Sequence, residues 1–208
     1  MDLGWYRSLE WYQKTSKIEL VLFICSGNTC RSPSAEYFFN KTTGWWGAKA
    51  FSRGTQVDAI LAALRSRGIN IQSLMIEDEV KKVIGDKTAT FLSKHEATQV
   101  ASGDLKGADL VLTMETSIRD QLRKDYPKYA YKIFTLKGFI DQTDDGSANL
   151  NIGNPFLPPA VRKKEGITPG KVKYYEYIQN YMRILDLIKV YVRRLVEILY
   201  LIAEEKKK

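Results

Sequence analysis

The stretch VLFICSGNTCRSPSAE, residues 21–36, constrains the fold more than any other. Five apolar residues give way at once to small and polar ones. Pro33 then opens a helix-compatible run to Lys41, and proline suits a first helical turn. A buried strand that passes through a short loop into a helix is the first half of a strand–helix–strand unit.

Similar alternation follows downstream. Strand-like runs cover 18–24, 48–52, 108–114 (ADLVLTM) and 131–136 (YKIFTL). Helix-compatible segments cover 34–41, 57–67, 76–85 and 115–126, with Gly68 and Gly85 as stops and Pro127 just past the last. Strands alternating with helices predict an α/β fold with a parallel sheet. Residues 141–170 shift to Asp, Asn, Gly and Pro, and predict a long surface loop. From 171 to 205 the spacing predicts one long helix. Ile184, Ile188, Tyr191, Leu195, Ile198 and Ile202 share one face, and charges of mixed sign share the other. That face reads as core packing, since mixed charge suits an anionic lipid surface poorly. In residues 1–17, Trp5, Leu9 and Tyr12 share a helical face and predict a short docking helix.

The chain carries 32 Lys and Arg against 24 Asp and Glu, a net charge of +8. This favours anionic partners such as phosphorylated groups. No basic stripe interleaved with aromatics and no nucleic-acid motif is present, so nucleic acid is not expected. No run is apolar enough to span a bilayer, and the N-terminus lacks the apolar region of a signal peptide. Two cysteines and one histidine make neither a disulfide scaffold nor a metal set, so no metal or cofactor is expected and the reduced cytoplasm fits.

The loop after the strand has its own chemistry. Cys25 ends the strand; Ser26, Gly27, Asn28, Thr29 and Cys30 form the turn; Arg31 closes it. Inward backbone N–H groups at a helix N-terminus make an anion site. An arginine fork matches two phosphate oxygens. The same cationic cradle is expected to lower the pKa of Cys25 and leave a thiolate beneath a bound phosphoryl group. The expected reaction is phosphoryl transfer to sulfur, then hydrolysis of a phosphocysteine.

FICSGNTCRSPSAE closely resembles the phosphate loop of the low-molecular-weight protein tyrosine phosphatases. FSRGT (51–55), SKHEATQV (93–100), GADLVLTM (107–114) and IGNPF (152–156) resemble further segments of that family, in order. The resemblance implies a three-layer fold: a four-stranded parallel sheet with helices on both faces. It implies Cys25 as nucleophile, Arg31 as phosphate ligand and transition-state clamp, and the amides of Ser26 through Arg31 as further phosphate ligands. Ser32 would hydrogen-bond the thiolate. Asn28 would adopt a left-handed conformation, buttressed by Ser52 and His95. Cys30 resembles a second loop cysteine that can trap an oxidised nucleophile as a disulfide; a filler role is equally open. Phe156 would stack on the substrate ring. The phosphatase domain would span 18–208, after an extension of 1–17 and with an insertion within about 56–92. The expected partner is a phosphorylated protein or peptide; the oligomeric state is left open.

The sequence departs from the family at the general acid. An aspartate is expected at position 154, and the chain has Asn154. An amide cannot protonate a leaving group. Either Asn154 is an introduced change, or Asp141, Asp144 or Asp145 takes over, or the chain is a low-activity module that binds phosphoproteins. Thr29, in Thr-Cys-Arg-Ser, and KIFTLKGF (132–139) resemble the protein-arginine phosphatase branch, which leaves phosphotyrosine and phosphoarginine as rival substrates. The groove-wall aromatic of the family is not evident after Thr55. Trp45 and Trp46 are candidates for it, against a packing role.

Overall fold

The computed structural model describes residues 2–68, 86–155 and 159–208. Two short helices, α1 (Gly4–Ser8) and α2 (Glu10–Lys14), lead to strand β1 (Leu20–Cys25) and helix α3 (Arg31–Thr42). Then come β2 (Lys49–Gly54), α4 (Val57–Arg65), α5 (Asp86–Lys94), α6 (Ser102–Gly107), β3 (Leu110–Thr113) and α7 (Thr116–Asp125). The chain ends with β4 (Ile133–Thr135), α8 (Leu136–Ile140), α9 (Pro159–Lys164) and α10 (Val172–Glu205).

The four strands form one parallel sheet in the order β2-β1-β3-β4. Side chains of β1 alternate between two cores, as the period of a strand requires. Val21, Phe23 and Cys25 face Phe39 of α3, Phe139 of α8 and Ile188 and Leu195 of α10. Leu22 and Ile24 face the opposite side, with Leu105, Ile118 and Leu122 from α6 and α7. Both faces are covered, which is why β1 reads as a continuous apolar run. The expected three-layer α/β architecture is present.

Register places the site. Cys25 lies level with Gly54, and Ile24 with Thr113, at the carboxyl edge of the sheet. From β1 the chain runs first to β2 on one side and later to β3 on the other. The crevice at that reversal is where open α/β sheets hold ligands.

Helix α10 is 34 residues long, about 50 Å at 1.5 Å per residue. It buries Ile184, Ile188, Leu195, Ile198 and Ile202 as expected, with Tyr191 half-buried. Two expectations need correction. The N-terminal segment is not one helix: Leu9 is extended (φ −76°, ψ 137°) and separates two short ones. The break lets Tyr6 and Trp11, rather than the 5, 9, 12 face, bury fully. Tyr6 donates to the Phe139 carbonyl at 3.0 Å, and Trp11 Nε1 donates to that of Asp109 at 2.8 Å. The 141–170 segment is not all loop, since it holds a 3-10 turn at Ala148–Leu150 and α9. Of the two roles open to Trp45 and Trp46, the structure shows packing: both meet the Tyr200 ring edge-on near the end of α10, 5.0 and 6.0 Å between ring centres. They pack there rather than lining the crevice. The helix read over 76–85, and part of the segment read as an insertion, lie outside the described residues.

Candidate active site

The loop between β1 and α3 turns around Asn28. This residue has φ 52°, the left-handed region that asparagine tolerates better than most. The turn brings the Asn28 N–H back to Cys25, 3.2 Å from Sγ. Ser32, in the first turn of α3, sets its hydroxyl 3.1 Å from the same sulfur. Cys25 is 3% exposed. The sulfur thus accepts a backbone N–H and lies within hydrogen-bond reach of a hydroxyl, in a buried pocket.

A buried polar network fixes Asn28. Its side-chain amide donates to Ser32 Oγ at 3.0 Å and Ser52 Oγ at 2.9 Å. Its Oδ1 accepts from the Thr98 N–H at 2.9 Å, with His95 Nε2 at 3.1 Å. Since Oδ1 only accepts, the His95 Nε2 carries the hydrogen. The Ser52 hydroxyl donates in turn to Glu36 Oε2 at 2.7 Å. Burial lowers the His95 pKa and raises that of Glu36. The buttressing expected of Ser52 and His95 is thus present as geometry, while Thr98 and Glu36 are partners that the sequence reading missed.

Arg31 is 2% exposed. One terminal nitrogen meets the Glu115 carboxylate and donates to the Ile152 carbonyl at 2.9 Å. The other donates to Ser26 Oγ at 3.1 Å. These contacts fix the guanidinium and leave further N–H donors on its fork. Glu115 was also missed. It directly follows Met114, past the end of β3 and beside β1, where a carboxylate faces the site by topology. That position was the signal to use.

Gly54 is required by packing. A Cβ there would lie 2.6 Å from the Ser26 carbonyl oxygen, 2.6 Å from Val57 Cγ2 and 3.0 Å from Asn28 Cβ. Gly27 and Thr29 lie in the loop; a Cβ on Gly27 would be 3.6 Å from Ile60 Cδ1 of α4. Cys30 turns away into a cluster with Leu92, Ile167, Tyr177 and Tyr181. Burial pushes its pKa up to about 12, so it remains a thiol.

The expected acid position is less embedded. Ile152 is tied to the Met114 carbonyl at 2.8 Å, and Pro155 is buried, but Asn154 is exposed. The three aspartates proposed as substitutes are engaged elsewhere. Asp144 bridges Arg119 and Arg123 at 2.6 and 2.7 Å. Asp141 accepts from Tyr191 at 3.1 Å and lies 3.6 Å from Arg194. Asp145 caps the Ser147 N–H at 2.8 Å. Phe156 lies outside the described residues.

A family model described as low molecular weight phosphotyrosine protein phosphatase matches residues 20–207. A protein-arginine-phosphatase of Geobacillus stearothermophilus is 29% identical over 145 residues, 67% of this chain and 80% of that protein. The low molecular weight protein-tyrosine-phosphatase PtpB of Staphylococcus epidermidis is 27% identical over 169 residues, 81% of this chain and 93% of that protein. Among solved structures, a low molecular weight protein tyrosine phosphatase from T. tengcongensis is 28% identical. It aligns with a TM-score of 0.59 over 86% of this chain and 98% of its own. The crevice, the loop and the match over nearly the whole chain agree: the chain belongs to the low molecular weight phosphotyrosine protein phosphatase family, a family of cysteine-based phosphoric monoester hydrolases.

Proposed function

We propose that this chain hydrolyses phosphorylated protein side chains through a phosphocysteine on Cys25. The observation that carries the reading is the paired approach of the Asn28 N–H and the Ser32 hydroxyl to Cys25 Sγ, with the Arg31 guanidinium closing the same loop. In the first step the thiolate sulfur bonds to phosphorus, the bond from phosphorus to the leaving atom breaks, and the leaving atom takes a proton. In the second, water adds to phosphorus, the S–P bond breaks, and phosphate leaves with Cys25 regenerated. The amides of Ser26 to Arg31 and the Arg31 fork hold the equatorial oxygens, where charge is spread in the transition state.

Asn154 supplies no proton to the leaving group. Water does so instead, and turnover of poor leaving groups is slow by about a hundred- to ten-thousand-fold relative to an acid-equipped site. The engagement of Asp141, Asp144 and Asp145 elsewhere supports this reading. The same facts favour a second reading, a module that captures phosphoproteins and releases them unprocessed. Hydrolysis of an activated aryl phosphate by the wild-type chain and by Cys25→Ser separates the two. Such a substrate needs little acid help, so the enzyme turns it over and Cys25→Ser loses about ten-thousand-fold or more. Saturable phosphate binding without turnover selects the module. Thr29 and the arginine-phosphatase relatives support phosphoarginine as substrate; the tyrosine-phosphatase relatives support phosphotyrosine. Rates on both kinds of phosphopeptide decide between them.

A further inference from the structure

The end of the sheet opposite Cys25 carries a feature that phosphate chemistry does not use. There the Tyr200 ring meets both Trp45 and Trp46, with interplanar angles of 66° and 86°. Trp45 is 67% exposed, and Leu201 beside Tyr200 is 41% exposed. This aromatic ridge divides two hollows. One, about 620 Å³, lies between the chain entering β1, the chain entering β2 and the last turn of α10; Ile18, Trp46, Ala48 and Ala203 line it together with Lys49 and Lys206. The other, about 330 Å³, lies between Trp45, Val196 and Tyr200, with Arg193 and Glu197 at its sides.

The charges around the ridge divide into two kinds. Lys17 pairs with Glu19 at 2.8 Å, and Lys207 with Glu204 at 2.6 Å. Among the described residues, Lys49, Lys206 and Arg193 form no ion pair, and neither does Glu197, so the unpaired groups are three cations against one carboxylate. Lys206 rests 3.8 Å above the centre of the Tyr12 ring and donates to the Tyr12 carbonyl at 2.6 Å. Lysines at a helix C-terminus complement its dipole, which accounts for Lys206 and Lys207. That account reaches neither Lys49, at the start of β2, nor Arg193, three turns back on α10, nor the wet Trp45. Tryptophan, tyrosine and arginine together are the composition of interface hot spots.

We propose that this pole docks an acidic segment of a partner protein. Its carboxylates meet Lys49, Lys206 and Arg193, and an apolar side chain packs against Trp45. A peptide fits the two hollows; a flat lipid surface would rest on the ridge and leave them empty. The proposal does not depend on the chemistry at Cys25, because β1 separates the two places by its own length, roughly 17 Å at about 3.3 Å per residue. A partner held here leaves the crevice open to substrate.

The test uses the full chain and a fluorescein-labelled synthetic peptide rich in Glu and Leu, with its Lys-for-Glu counterpart as control. The Glu peptide is expected to bind saturably, more weakly as salt is added. Trp45→Ala should weaken it about ten-fold, and the Lys49→Glu, Arg193→Glu double variant about as much. Hydrolysis of an aryl phosphate should stay unchanged in both. Trp45 is largely exposed, so its truncation leaves the core filled; the double variant keeps the test valid if Trp45→Ala does not fold. Equal binding of both peptides, no saturable binding, or binding indifferent to both variants overturns the proposal. Trp45-dependent binding to phosphatidylserine vesicles but not to the peptide also overturns it, as does Trp45-dependent self-association.

Discussion

The loop from Cys25 to Ser32 and the segment from Leu150 to Pro155 meet at Arg31, yet they are built in opposite ways. In the loop, Asn28 and Ser32 are fully buried, and each has hydrogen-bond partners inside the protein. In the segment, Ile152 is anchored, but Gly153 and Asn154 are exposed. A buried network is costly to disturb because each unpaired group loses its partner without gaining water. An exposed side chain can exchange an oxygen for a nitrogen at almost no cost to folding. The loop around Cys25 is therefore part of the fold, while the side chain at position 154 lies outside that buried network. That division explains how a family fold can carry asparagine where the acid is expected.

Asn154→Asp tests the division most strongly. Hydrolysis of substrates with poor leaving groups should rise by about a hundred-fold or more, activated aryl phosphates should change little, and stability should shift by less than about 0.5 kcal/mol. Equal gains on both substrates would mean that position 154 acts on something other than the leaving group. Gly54→Ala makes the converse test. The new Cβ overlaps the Ser26 carbonyl and Val57, so denaturant unfolding should show a loss of about 2–3 kcal/mol, along with weakened phosphate binding. An intact loop in that variant would break the claim that framework and site are one structure.

Glu115→Gln acts at the junction. It leaves the nearly buried Arg31 without its carboxylate, though still bonded to Ile152 and Ser26. Unfolding without anions should show about 1–2 kcal/mol less stability. Added phosphate should restore more in the variant than in the wild type, because a bound anion replaces the missing charge. Equal phosphate effects would show that Glu115 is not the guanidinium's main counter-charge.

The smallest effect is on pH dependence. Burial holds His95 below its ordinary pKa of 6.5, so the unfolded chain takes up that proton first. Stability should fall as pH drops from about 6.5 through the folded value. Glu36, in the same network, has a raised pKa and acts in the opposite sense, gaining stability as pH falls toward 4.5. Comparing His95→Gln with His95 in a Glu36→Gln background isolates the histidine slope. An unchanged slope would remove His95 from the balance.

The sequence made the strand–loop–helix unit legible because its signals are local. Apolar residues end at Cys25, Pro33 enters the first turn of α3, and Asn28 accepts the left-handed turn. Helix α10 was legible for the same reason, through a periodic apolar face. The break at Leu9 was hidden, because Trp5, Leu9 and Tyr12 also fit one continuous helix. Only the carbonyls of Phe139 and Asp109, far along the chain, decide that Tyr6 and Trp11 turn inward. Glu36 and Thr98 lack a local signal too, since each reaches Asn28's network across at least one other element.

What the sequence by itself determined is the strand–loop–helix unit around Cys25 and the α/β alternation, because each rests on residues within one or two turns of one another. What only the tertiary structure decided is which groups hold that loop: Glu115 on Arg31 from 84 residues away, and Ile152 from 121. It also decided that Asp141, Asp144 and Asp145 are held by other partners. Contacts across such distances depend on strand order and register, and those follow from burying both faces of the sheet at once rather than from any short run of residues.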